Sequence, residues 1–488
     1  MPKNYPLQKQ IGLFLGPALF ILLLSIDTIE PLKPEAQKVL AVASWMLVWW
    51  MTEAVNISVT ALLPMLLLPL LNIEGLGISE VTAPFSNKII YLFMGGFVIA
   101  IAMEKWKLHL RIALNIVSLT GTNANGIILG FMLATAFLSM WISNTATTVM
   151  MLPIALSIIQ ILTERSEKET QLDSKKVKLF ALSMMLAIAY AANIGGVATI
   201  IGTPPNTVFA GFMEKQGIQI DFLQWMLLGV PFSAVMLIIT FLMLTKVLYP
   251  NKLGNFSGAE QLIKNEKIKL GKISNSERKV LIVFVCTALA WITRKYINGL
   301  FPTLNLSDTG IAMLGAITLF VIPTKFSEGK FILGWEDMKK LPWGILILFG
   351  GGLSLASAMA NTGIIDLIGN YISERNTWET IWIILAVTAT VLFMTELMSN
   401  VALITIFLPV IAGISVGLGE NILWFAIPAT IASSCAFMLP MATPPNAIVF
   451  ASEKVKISEM AKAGFWLNLI SVGMLLLFSL TLVKWVFG

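Results

Sequence analysis

Charge is what this sequence has least of. Of 488 residues, 12% are Asp, Glu, Lys or Arg and 57% are hydrophobic, whereas about 25% charge is usual for soluble domains. Mean hydropathy is +0.83. Apolar stretches such as 11–26, 57–71, 223–248 and 467–486 approach the roughly 20 residues that a spanning helix needs. A soluble fold is excluded, and the chain reads as an all-α polytopic membrane protein. Cysteine is nearly absent: Cys286 and Cys435 both lie in apolar segments. That excludes a disulfide framework or a cysteine metal motif and predicts two buried free thiols. The single histidine, His109, falls in the basic amphipathic stretch 104–111, where a surface position is expected. With no His cluster and no visible nucleophile–base pairing, a membrane-embedded enzyme is a weak reading.

The net charge of +6 comes from loop lysines, which in a membrane protein report orientation rather than nucleic-acid binding. Residues 1–10 are polar, an apolar run starts at Ile11, and no small-residue cleavage site follows it. The first helix is therefore expected to be retained. Full crossings are predicted near 11–26, 36–51, 57–71, 88–103, 179–210, 223–249, 280–297, 309–323, 341–355, 421–450 and 464–486, about 11 in all.

Against this oily background stands a polar pattern that occurs twice. Ser139 and Ser143-Asn144-Thr145 are followed by Gly202-Thr203-Pro204-Pro205-Asn206. Thr395 and Ser399-Asn400-Val401 are followed by Ala442-Thr443-Pro444-Pro445-Asn446. Ser143 and Ser399 are 256 positions apart, as are Ser139 and Thr395. Phe93-Met94-Gly95-Gly96 matches Phe349-Gly350-Gly351-Gly352 at the same spacing, as do Ala100, Ala102 and Met103 with Ala356, Ala358 and Met359. The Thr-Pro-Pro-Asn pair is offset by 240, mostly because the charged loop 163–178 is longer than its counterpart 415–420. Matched interruptions in two halves point to a binding site between them.

The Ser-Asn turns lie midway along the apolar segments 126–162 and 377–414. A turn at membrane depth must face protein or a water-filled cavity, so both segments are predicted to be re-entrant hairpins. With the N-terminus cytoplasmic and both hairpins returning to their own face, the cytoplasmic segments 1–10, 104–111, 163–178, 246–279, 324–342 and 452–462 hold 25 of the 33 Lys and Arg. That asymmetry obeys the positive-inside rule. It makes the halves inverted-topology repeats, with polar-rimmed surface stretches at 104–111 and 361–374.

A hairpin tip offers the carbonyl oxygens of an ending helix, which suit a hard cation such as Na+. It also offers the N–H groups of a starting helix, which suit a carboxylate. Ser143, Asn144, Thr145, Ser399 and Asn400 are capping residues, and the paired prolines unwind the chain before Asn206 and Asn446. Each feature alone is an ordinary cap or kink; the paired register is what singles them out. No Lys or Arg occurs within 121–162, 179–213 or 376–453. Unless a basic side chain arrives from another segment, an anion there would be balanced by amides, hydroxyls, helix N-termini and co-bound Na+. Two acids, Glu53 and Glu396, sit in Met-Thr-Glu triplets. Interior hydrogen bonding or capping, and cation coupling, are both open to them.

In Trp141-Ile142-Ser143-Asn144-Thr145-Ala146-Thr147, Glu396-Leu397-Met398-Ser399-Asn400, both Thr-Pro-Pro-Asn motifs, and Met51-Thr52-Glu53-Ala54 with Ala61-Leu62-Leu63-Pro64, the chain resembles the divalent anion:sodium symporter family. These are bacterial relatives of the mammalian Na+/dicarboxylate and Na+/citrate transporters. The resemblance runs over essentially the whole chain. It implies a homodimer in the cell inner membrane, each protomer divided into scaffold (1–120 and 280–375) and transport (121–250 and 376–488) domains around a cytoplasmic loop (251–279), working as an elevator.

The resemblance also implies a substrate site built from Ser143, Asn144, Thr145, Ser399, Asn400, Val401, Thr203, Pro204, Thr443 and Pro444. It implies one Na+ site at Ser139, Ser143, Asn144 and Gly202 and another at Thr395, Met398, Asn400 and Ala442. Val401 departs from the family's Thr and puts the choice between dicarboxylates and tricarboxylates in question. The function expected is Na+-coupled import of C4-dicarboxylates such as succinate, malate or fumarate. The rivals are a Na+-independent dicarboxylate or citrate/succinate exchanger, a membrane-embedded enzyme and a passive channel. No nucleic-acid partner is expected.

Overall fold

The computed structural model describes residues 5–121, 123–168, 173–254, 257–375 and 378–487. The centre of the charged loop (169–172) and the first residues of the second hairpin segment (376–377) lie outside the described residues. Helices account for almost everything else, and a single two-stranded ribbon, Pro323–Lys325 with Lys330–Phe331, decorates one loop.

Among the described residues, nine helices are long and apolar enough to cross a membrane: Leu7–Ser25, Ile78–Lys105, Asn144–Glu167, Ser174–Val197, Phe222–Leu248, Asn275–Leu300, Trp343–Asn361, Asn400–Leu418 and Ile457–Phe487. Seven of them fall on expected crossings, and two are second arms of the expected hairpins. The remaining expected crossings take other forms. Pro34–Thr52 is a 19-residue helix. The stretch 57–71 splits into Ile57–Thr60 and Leu63–Leu70, because Pro64 cannot extend a preceding helix. The stretch 309–323 becomes the 14-residue helix Asp308–Val321.

Local chemistry sets the helix starts. The Asn123 carboxamide accepts from the Gly126 N–H at 2.6 Å, Asn87 from Ile89 at 2.8 Å, and Ser307 from Gly310 at 3.0 Å. Ser274 and Glu277 form a reciprocal capping box. Such side chains satisfy N–H groups that a helix leaves orphaned at its start.

The repeat seen in the sequence is present in the helices. Leu108–Leu119, Ala124–Ser139 and Asn144–Lys168 begin 256 positions before Ile364–Arg375, Thr380–Met394 and Asn400–Leu418. The first member of each set is amphipathic, as the polar-rimmed stretches suggested; the first such helix starts four residues later than the 104–111 stretch. The first broken helix runs Ser174–Val197, unwinds over 198–203 and resumes as Pro204–Lys215. The second runs Leu423–Ala432, unwinds over 433–443 and resumes as Pro444–Phe450.

Side chains from Pro34–Thr52, Ile57–Leu70 and Trp343–Asn361 form a smaller core, including Val39, Trp50, Leu68 and Leu348. The larger core gathers the hairpins, the broken helices and the helices around them. Many outward side chains are large and apolar, among them Phe14, Leu119, Leu314 and Leu477, as bilayer burial requires. Two expectations are corrected here. Cys286 is exposed rather than buried, while Cys435 is buried as expected; Cys286 lies on an outer face of Asn275–Leu300 alongside exposed Ile282, Val285 and Leu289, a face suited to lipid. His109 is half-buried rather than fully at the surface. Its Nδ1 lies 2.9 Å from the Met103 carbonyl oxygen, and burial pushes its imidazole below the usual range.

Candidate functional site

A cavity of about 620 Å³ opens where the two hairpin tips meet the two broken helices. Ser143, Asn144, Thr145, Thr203, Pro204, Ser399, Asn400, Val401, Thr443 and Pro444 all line it. So do Gly202, Met398 and Ala442 from the two expected cation sites. Ser139 and Thr395 do not; both are fully buried behind the tips. Four helices, Asn144–Lys168, Pro204–Lys215, Asn400–Leu418 and Pro444–Phe450, begin at this cavity. Their N-terminal dipoles therefore add there, and an anion is favoured without any Lys or Arg from the motif segments.

Each tip is tied to its break. In the first half, the Thr199 hydroxyl donates to the Met140 carbonyl at 2.6 Å. Ser143 caps its helix, its Oγ accepting from the Ala146 N–H at 3.2 Å. Gly196 and Gly202 face each other across the break: a Cβ on Gly202 would lie 2.3 Å from the Gly196 carbonyl oxygen, and one on Gly196 would lie 2.7 Å from Asn144 Oδ1. Only glycine leaves room for the Asn144 carboxamide here. Ser139 Oγ and Asn144 Oδ1 are both buried and make no hydrogen bond among the described residues. Unpaired buried oxygens are costly, and oxygen donors of this type suit a hard cation.

In the second half, Thr395 Oγ1 lies 2.7 Å from both Asn400 Oδ1 and the Ser433 carbonyl oxygen. One hydroxyl proton cannot serve two acceptors, so this buried oxygen triad is also electron-rich and under-donated. Ser399 begins its helix without a side-chain cap bond. Thr443 does cap, accepting from the Asn446 N–H at 3.3 Å.

Both Thr-Pro-Pro-Asn motifs repair their breaks in the same way. Asn206 Nδ2 donates to the carbonyls of Val197 (3.3 Å) and Thr199 (2.8 Å). Asn446 Nδ2 donates to those of Ala436 (3.0 Å) and Leu439 (3.1 Å). The halves are joined directly by Asn193, whose Nδ2 donates to Thr443 Oγ1 at 3.0 Å.

The two Met-Thr-Glu acids part company. Glu396 is nearly buried and accepts from the N–H groups of Phe437 (2.8 Å), Met438 (2.9 Å) and Leu439 (3.1 Å), and from Asn468 Nδ2 (2.7 Å). It holds the longer break open, which is the interior hydrogen-bonding role. Position 140, its repeat partner, is Met, and the first break is only six residues long. Glu53 instead lines the cavity, paired with Lys9 at 3.3 Å. A basic side chain thus does arrive from another segment. Lys9 carries no repeat signal, because Leu7–Ser25 lies outside the repeated block. Asn193 was legible in principle, as a lone amide within a long apolar run.

These features define a multi-pass membrane protein whose polar centre is made by two interrupted halves, the build of a secondary transporter. Residues 8–488 match the sodium:sulfate symporter transmembrane region, and the chain belongs to that family, the divalent anion:sodium symporters. It is 41% identical over 489 residues to a sodium-dependent dicarboxylate transporter of Staphylococcus saprophyticus, covering 100% of this chain and 93% of that one. It is 43% identical over 478 residues to the transporter of the same name from Staphylococcus aureus (strain USA300), covering 97% and 91%. The crystal structure of the Alcanivorax borkumensis YdaH transporter aligns with 99% of this chain and 98% of its own at a TM-score of 0.52 and 12% identity, a likeness of fold. The family's members are transporters, not enzymes, and Na+ is the coupling ion.

Proposed function

We propose that this protein imports C4-dicarboxylates such as succinate, malate or fumarate together with Na+, through the cavity between the hairpin tips. One observation carries the reading: both Ser-Asn tips and both Thr-Pro-Pro-Asn breaks converge on a single cavity with four helix N-termini and under-donated oxygens behind it. Asn144, Thr145, Ser399 and Asn400, with Thr203, Pro204, Thr443 and Pro444, would receive one substrate carboxylate. Ser139, Ser143, Asn144 and Gly202 would hold one Na+, and Thr395, Met398, Asn400 and Ala442 another. Na+ would fix the Asn144 and Asn400 carboxamides, which then complete the carboxylate site.

The protein sits in the cell inner membrane, and its layout with a cytoplasmic N-terminus and inverted halves is supported by the lysine and arginine asymmetry. Within it, 1–120 and 280–375 act as scaffold and 121–250 with 376–488 as the moving transport domain, in a homodimer. Sodium-dependent relatives covering the full chain support the dicarboxylate reading. The test is uptake of labelled succinate into proteoliposomes with and without an inward Na+ gradient. Accumulation above equilibrium only with the gradient is expected. Undiminished uptake without Na+, driven by internal succinate, would make the protein an exchanger.

A further inference from the structure

Among the described residues, the cavity is lined by one acid and one base, Glu53 and Lys9, and they are paired with each other. Neither belongs to the repeated motifs. Lys9 comes from the first turn of Leu7–Ser25, and Glu53 ends Pro34–Thr52 in the left-handed conformation (φ 47°). Their meeting is built into the packing. The Tyr5 hydroxyl, just before the helix, donates to the carbonyl of Ala54, the neighbour of Glu53. A Cβ on Gly12 would lie 2.0 Å from Thr52 Oγ1, so the Thr52 side chain packs directly on the Gly12 backbone, close to the pair. Trp49 Nε1 donates to the Leu13 carbonyl at 3.4 Å.

The pair is half open to solvent, with side-chain exposures of 34% for Lys9 and 58% for Glu53, so its partners are weakly held and exchangeable. An ammonium group has three donors and can take a second carboxylate while keeping the first. A carboxylate bound at the hairpin tips is served by amides and helix N-termini, which leaves the other end of a dicarboxylate in a cavity where, among the described residues, the sole basic lining residue is Lys9.

We propose that Lys9 is a specificity-determining residue that engages the substrate carboxylate projecting away from the hairpin tips. Glu53 orients Lys9 and, by like-charge repulsion, disfavours a third carboxylate on that wall. The charge filter therefore selects dianions over more highly charged tricarboxylates. This inference rests on the carboxylate reading of the cavity.

The test measures concentration-dependent, Na+-driven uptake of succinate and citrate into proteoliposomes by the full chain and by Lys9→Gln, Lys9→Arg and Glu53→Gln, with thermal unfolding of each. Lys9→Gln should raise the KM for succinate about fivefold with turnover within about twofold, and Lys9→Arg should restore it. Glu53→Gln should improve citrate relative to succinate by about threefold. An unchanged succinate KM in a folded Lys9→Gln protein overturns the role of Lys9. Equal effects of Glu53→Gln on both substrates overturn the filter. Should Lys9→Gln not fold, the Lys9→Arg and Glu53→Gln substrate ratios decide the question alone. Absence of Na+-driven uptake in the unmodified protein would instead fault the underlying reading.

Discussion

Asn206 and Asn446, 240 positions apart in sequence, each turn a side-chain amide back on their own break and bind two backbone carbonyls, those of Val197 and Thr199 at its start in the first half and those of Ala436 and Leu439 within it in the second. Those carbonyls have lost their helical partners, and in a membrane interior no water replaces them. The asparagine of Thr-Pro-Pro-Asn is thus a repair to the helix, and the threonine and prolines before it are what face the cavity.

Asn206→Ala and Asn446→Ala should each destabilise the protein by about 1 kcal/mol, the range of buried hydrogen bonds in membrane helices. Thermal unfolding in detergent measures this. Asn446→Ala should be the more harmful, because its break is eleven residues long rather than six.

Glu396→Ala should cut transport by roughly tenfold or more, since three backbone N–H groups and Asn468 lose their acceptor together. Glu396→Gln, which retains one acceptor oxygen, should lie between it and the unmodified protein. Asn468→Ala should be milder than either. Uptake normalised to membrane expression separates the three. Full activity in Glu396→Ala would mean that the unwound stretch 433–443 holds its shape unaided.

Much of this architecture was legible because membrane helices leave coarse marks. Apolar length, the 256-residue register and the Lys and Arg asymmetry located the helices, the repeat and the motif residues that line the cavity. What was not legible came from contacts between segments that no spacing relates. Lys9 reaches the cavity from the non-repeated first helix. Asn193 and Asn468 act through partners 250 and 72 positions away. Glu396 and Glu53 share a triplet, yet one clamps a break and the other lines the cavity. The splitting of 57–71 at Pro64 and the lipid-suited face carrying Cys286 likewise depend on neighbours and surroundings that composition does not specify.

Asn144→Ala and Asn400→Ala should each lower Na+-driven uptake by about a hundredfold while leaving expression and unfolding temperature near normal. Both carboxamides line the cavity, and Asn144 Oδ1 has no protein partner to lose. Near-normal uptake in both variants would displace the site.

Val401 is half-buried, lines the cavity and occupies the repeat position of Thr145. Val401→Thr places a hydroxyl beside the second tip at nearly unchanged volume. It should lower the KM for succinate by about threefold, a modest gain of one neutral hydrogen bond. Kinetic comparison of succinate with citrate checks whether the gain is selective.

The central claim is that bound Na+ completes the carboxylate site, and ligand-dependent thermal unfolding tests it most directly. Na+ alone should raise the unfolding temperature. Succinate should add to it only when Na+ is present, by an amount approaching 2.7 kcal/mol at about 100 times its Kd. Equal stabilisation by succinate with and without Na+ would contradict the account.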